Sequence, residues 1–148
     1  MAAPLRFRSA VARHHPQMPR LVTAPWDEVA RWKLSETTTV QAALNGTDIG
    51  RRALKRWDDR HCWWFDLPDP ICRKLKLDVG DTLEVELRLA STELPAELAA
   101  LIAKNKAARA AWERLTPPQQ RMLRENVAAG KQPATRARRA ARELGVEV

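Results

Sequence analysis

Lys131-Gln132-Pro133-Ala134-Thr135-Arg136-Ala137-Arg138-Arg139-Ala140-Ala141-Arg142 places five cations in twelve residues near the C-terminus. At about 100° per residue, Arg138, Arg139 and Arg142 share a helical face with Thr135. Arg136 lies at the edge of that face, and Ala137, Ala140, Ala141 and Leu144 lie opposite. Guanidinium forks match phosphate oxygens, so the chemistry of such a stripe is anion or nucleic-acid binding, with Lys131 beside it. The same spacing equally describes the solvated side of an amphipathic helix with cations toward its C-terminal end.

The aromatic residues form a second set. The chain has six tryptophans and no tyrosine. Trp63 and Phe65 have the spacing of core residues on a strand, and Trp112 that of a helix seam. Trp57 and Trp64 fit neither role as directly. Beside Arg56 and Arg60 they could form a partner surface, such as a base-stacking platform. They could equally cover a barrel end, or the joint between a barrel and its helices.

Little in the chain points to catalysis. His61 and Cys62 are adjacent on a predicted strand, so their side chains point to opposite faces and cannot pair. His14-His15 lies in a Pro-bounded loop, Asp58-Asp59 reads as a turn, and Asp81 belongs to a Gly-Asp turn. Five glycines supply no phosphate-cradling loop. Cys62 and Cys72 are the only cysteines, without the spacing of a zinc site or a disulfide framework. The expectation is a non-enzymatic protein with no metal and no cofactor.

The elements that must position these residues follow from composition and pattern. A chain of 148 residues, 45% hydrophobic, has room for one cored domain or a small domain with an appendage. No apolar run approaches the roughly 20 residues of a membrane span, and the N-terminus lacks a signal-peptide core. A cytoplasmic protein with reduced thiols is expected. The net charge of +8 is uneven: residues 1–24 hold four Arg and no acid, residues 25–92 hold 11 basic and 12 acidic side chains, and residues 93–148 hold 11 basic and 6 acidic. The excess lies at the two ends, which is an argument for an anionic partner.

Up to about Ala90 the pattern is β-rich. Strands are predicted at 5–8, 20–24, 38–44, 49–57 and 60–67, with a short helix from Trp26 to Lys33 and an Asn45-Gly46 turn. His61, Trp63, Phe65 and Leu67 are placed on one face of their strand, and Cys62, Trp64 and Asp66 on the other. In the last strand Leu83, Val85, Leu87 and Leu89 are expected inward, with Glu84, Glu86 and Arg88 outward. The segment Leu67–Leu87 has a fainter copy 43 residues earlier. Pro25 matches Pro68, Trp32 matches Leu75, Leu34 matches Leu77, and residues 39–44 match 82–87. Such spacing predicts two copies of one supersecondary unit. Beyond Ala90 four helices are predicted, opening at Pro95, after Asn105, after Thr116 and at Pro133, the last two ending at Gly130 and Gly145.

The segment 67–87 resembles the swapped-hairpin or double-split barrels of AbrB- and MazE-type DNA-binding domains. Asp69 and Pro70, however, stand where those proteins present a basic residue. Asn45-Gly46, Val79-Gly80-Asp81-Thr82, Leu115-Thr116-Pro117 and Lys131-Gln132-Pro133-Ala134-Thr135-Arg136-Ala137-Arg138-Arg139 carry a closer likeness. On them the whole chain is more similar to the bacteriocin-protection, YdeI/OmpD-associated family. The resemblance implies an α+β chain. A small double-split β-barrel with an internal pseudo-twofold repeat occupies 1–92, and a helical tail occupies 93–148. It also implies a stress-associated protein that acts by binding a protein or an anionic partner. The alternative is a nucleic-acid-binding or regulatory protein using the basic C-terminal helix. A monomer is expected, because the repeat can supply both halves of a barrel that AbrB-type proteins build from two chains; a dimer is the alternative.

Overall fold

The computed structural model describes residues 2–147, which form two compact units, one ending at Ser91 and the other beginning at Thr92. In the first, strands β1 (Leu5–Ala12), β2 (Arg20–Pro25), β3 (Thr38–Leu44), β4 (Thr47–Trp57), β5 (Cys62–Leu67) and β6 (Thr82–Leu89) close into an antiparallel barrel. Their order around it is β1-β2-β5-β4-β3-β6. Helix α1 (Trp26–Ala30) links β2 to β3, and α2 (Asp69–Leu75) links β5 to β6. With the helical second unit, the chain is α+β.

Period-two alternation puts Trp63, Phe65 and Leu67 of β5 and Leu83, Val85 and Leu87 of β6 into the barrel core with Leu5, Val22, Val40, Leu44 and Leu54. Leu89 departs from expectation, being 40% exposed. The β1 ladder ends at Leu5↔Leu87, so Leu89 has a partner only on β3, through Val40, and lies past the rim. The Asn45-Gly46 turn forms as read, with φ of 50° and 83°, the double positive φ of a tight hairpin between β3 and β4. Asn45 also ties this hairpin to β6: its Oδ1 accepts from Glu84 N at 2.9 Å and its N–H donates to Glu84 O at 2.8 Å.

His61 requires a correction. It is not a strand residue facing the same way as Trp63. A 3-10 turn over Asp58–Arg60 ends at His61 in the left-handed region, and β5 begins only at Cys62.

An offset of 43 residues takes β1 onto the span of β4 and, to within two residues at their starts, β2 to β5, α1 to α2 and β3 to β6. It also carries the neighbour pairs of the barrel onto one another. This correspondence is one of element order and pairing, not of superposed halves.

The second unit packs α3 (Ala96–Lys104), α4 (Lys106–Arg114), α5 (Pro117–Ala128) and α6 (Pro133–Leu144) around Leu98, Ala108, Leu123, Val127, Ala140 and Leu144. Asn105 caps α4 by accepting from Ala108 N at 3.0 Å. Thr116 and Gln119 form a reciprocal capping box on α5, and Gly145, at φ 71°, closes α6. Trp112 packs against this core. No helix among the described residues is long and apolar enough to cross a membrane.

Candidate functional sites on the barrel and on the helical unit

The barrel presents its aromatic residues in two sets, separated by the alternation of β4 and β5. Register pairs Lys55 with Trp64, Arg56 with Trp63 and Trp57 with Cys62. Trp57 and Trp64 therefore stand together on the outer face, half-buried, with ring centroids 6.1 Å apart and planes at 58°. Lys55 Nζ lies 4.4 Å from the Trp64 centroid, and the exposed Arg60 guanidinium lies 4.8 Å from that of Trp57. His14, from the β1–β2 loop, meets Trp57 edge-on at 5.0 Å. Across the sheet, Thr23 of β2 is the register partner of Trp64, and its hydroxyl is 3.3 Å from that of Ser9. The acids of this region are partly neutralised: Asp66 takes Lys55 at 3.3 Å and Asp58 takes Arg56 at 3.0 Å.

Arg56 goes the other way from the outer pair. Its guanidinium lies 5.2 Å from the Trp26 centroid and 5.9 Å from that of the buried Trp63. His61 stacks on Trp26 at 4.4 Å. Of the two arginines read beside the tryptophans, only Arg60 serves the outer face, and Lys55 takes the place expected for Arg56. Period two alone carries that signal, because Lys55 and Trp57 are two apart on one strand. The edge contact of His14 has no signal in the sequence.

The basic helix is divided by its own packing. Arg136 reaches α3, where Nε and Nη2 lie 3.0 and 2.9 Å from Glu97 Oε1, while Nη1 donates to Gly130 O at 3.0 Å. Arg136 holds the Glu97 carboxyl below the usual carboxylate range, and Glu97 in return raises Arg136. Arg139 Nη1 donates to Asn126 O at 2.8 Å. Both cations are half-buried fasteners of the helical unit. Arg138, 3.4 Å from Thr135 Oγ1, is exposed, as are Arg142 and Lys131. Arg142 lines a groove of about 620 Å³ with Leu115, Met122, Leu123, Asn126 and Glu143. The helical wheel cannot show that Glu97, 39 residues away, engages Arg136, nor that Asn126 O engages Arg139.

The remaining chemistry-bearing residues are dispersed. Burial pushes the Cys62 thiol up, against the opposing pull of Arg60, which disfavours the nucleophilic thiolate. Cys72 is buried and its Sγ lies 3.5 Å from Leu67 O. Asp69, in the first turn of α2, is ion-paired with Arg20 at 3.5 Å. Among the described residues, no group of three or more His, Cys, Asp or Glu is placed to hold a metal ion.

Comparison of the chain with curated proteins gave no match. The scan against protein families did: residues 91–143, which span the helical unit almost completely, match the family described as Bacteriocin-protection, YdeI or OmpD-Associated.

Proposed function

We propose that the chain is a non-enzymatic, stress-associated protein of the bacteriocin-protection type that works in the cytoplasm by binding a partner. The observation that carries this reading is the pairing of Trp57 and Trp64 on the outer barrel face with Lys55 and Arg60 over their rings. Tryptophan and arginine dominate the energetics of recognition surfaces because they combine a large contact area with directed polar groups. The family description supports the protective role. Protection by soaking up cationic peptides is disfavoured, because a chain at +8 repels them at separations up to about 8–10 Å at ordinary salt. An indirect route through an anionic or protein partner fits the charge.

A second reading, nucleic-acid or regulatory binding through the basic C-terminal helix, draws support from the exposure of Lys131, Arg138 and Arg142. With Arg136 and Arg139 committed to Glu97 and Asn126, that surface offers fewer free cations than the helical wheel indicates.

The test is capture on the immobilised full chain, comparing wild type with Trp57→Ala and Trp64→Ala, with and without nuclease. Species released by either substitution support binding through the barrel face. Retention unaffected by both rejects it.

A further inference from the structure

Resting on the partner-binding reading, we infer that the outer barrel face around Trp57 and Trp64 binds single-stranded nucleic acid. It would do so by stacking bases on the two indoles and placing a phosphate beside Arg60, Lys55 being held to Asp66.

Four observations carry the inference. The two indoles lie side by side on neighbouring strands at 6.1 Å, so two bases can be received on one sheet face. Each indole has a cation over its ring, at 4.4 and 4.8 Å. That arrangement repeats the alternation of flat base and anionic phosphate in a single strand, and a guanidinium can slide aside or sandwich a base against the ring. Arg60 is exposed and has no carboxylate within ion-pair distance among the described residues, so its charge is available to a phosphate. Finally, ring contacts and strand register set Lys55, Arg60, His14 and Thr23 beside the tryptophans, with Cys62 opposite Trp57. Aromatic rings bordered by cations and hydroxyls are the composition of single-strand binders. A duplex keeps its bases stacked inside, so an intact duplex would gain only the phosphate contacts.

The experiment is fluorescence anisotropy of a labelled oligothymidylate of about 12 nucleotides, within the range one small barrel covers, titrated with the full chain. It is run at about 50 and 200 mM salt, with unlabelled single strand and duplex as competitors. Wild type is expected to bind, to weaken steeply with salt, and to prefer single strand over duplex. Trp57→Ala and Trp64→Ala should each weaken binding about tenfold or more. Arg60→Ala, an exposed change that leaves the barrel intact, should weaken binding and flatten the salt dependence. The Arg138→Ala/Arg142→Ala variant should bind like wild type. Absence of binding at low salt, equal competition by duplex, or binding that survives Arg60→Ala and depends on Arg138 and Arg142 each overturns the inference. If the oligonucleotide fails while the immobilised chain still holds a nuclease-resistant species that Trp57→Ala releases, the nucleic-acid inference falls and the partner-binding reading stands. If neither occurs, both fall.

Discussion

Lys33 and Lys76 lie 43 residues apart and share one unusual backbone conformation, with φ of 56° and 55°. Each follows a short helix entered from a proline, Pro25 or Pro68, at φ −59°, and each is followed by a leucine that packs against the barrel core, Leu34 or Leu77. A side chain bearing Cβ is strained in this region, by about 1–2 kcal/mol. Lys76→Gly should therefore be neutral or stabilising by about 1 kcal/mol, strain relief outweighing the added freedom of the unfolded chain. Lys76→Val should lower stability by about 1–2 kcal/mol, because a β-branched residue tolerates positive φ least. Lys33 should give the same signs. Urea unfolding of the four variants checks this, and opposite signs at the two positions would count against a shared local geometry.

Gly130 is needed for close approach. A Cβ there would stand 2.9 Å from Arg136 Cγ, 3.2 Å from Arg136 N and 3.3 Å from Val127 O. Gly130→Ala should cost about 1–3 kcal/mol, the range for overpacking, and should loosen the hold of Arg136 on Glu97. Because Arg136 contributes both side-chain and backbone contacts to the clash, adding Arg136→Ala should recover only part of the loss. A double-mutant cycle on chemical unfolding measures the coupling.

The Glu97–Arg136 pair also gives the helical unit a pH dependence of known sign. The folded carboxyl titrates below its unfolded value, so its contribution is fully present above the ordinary glutamate range of about 4.3. It is lost as pH falls through the folded value. Thermal melts between neutral pH and about pH 3 should show this acid loss, and Glu97→Gln should remove that share of it while lowering stability at neutral pH.

Phe65 is fully buried at the centre of the barrel. Phe65→Ala should destabilise the barrel by about 3–5 kcal/mol, close to the whole stability of many small domains. Loss of the cooperative transition in tryptophan fluorescence would report it.

The sequence made the barrel legible where one local rule acts alone. Strands β5 and β6 follow the period-two pattern, and the Asn45-Gly46 hairpin follows from two residues that accept positive φ. Legibility fails at His61, which takes that conformation without the Asn-Gly pair that signals it at residues 45–46. It fails again at Leu89, whose exposure depends on where the β1 ladder stops. The site was half legible for the same reason. Trp57 and Trp64 stand out by type, but the choice between Lys55 and Arg56 depends on strand phase, and the loss of Arg136 to Glu97 is a long-range contact that no spacing encodes.

Closure of the barrel has a consequence for how this protein meets other chains. Every strand has two neighbours, so none is a free edge along its whole length, the open flank that templates fibril growth or accepts a foreign strand. The circuit is not equally secure all round. The β1–β2 seam rests on two register pairs, Val11↔Val22 and Ala12↔Leu21, and the β4–β5 seam on three, against six between β1 and β6. These two seams are the places where the ring would first unzip. Amide protons there should exchange with solvent earliest, and a cut made at either seam would turn a sealed cylinder into a sheet with two adhesive margins.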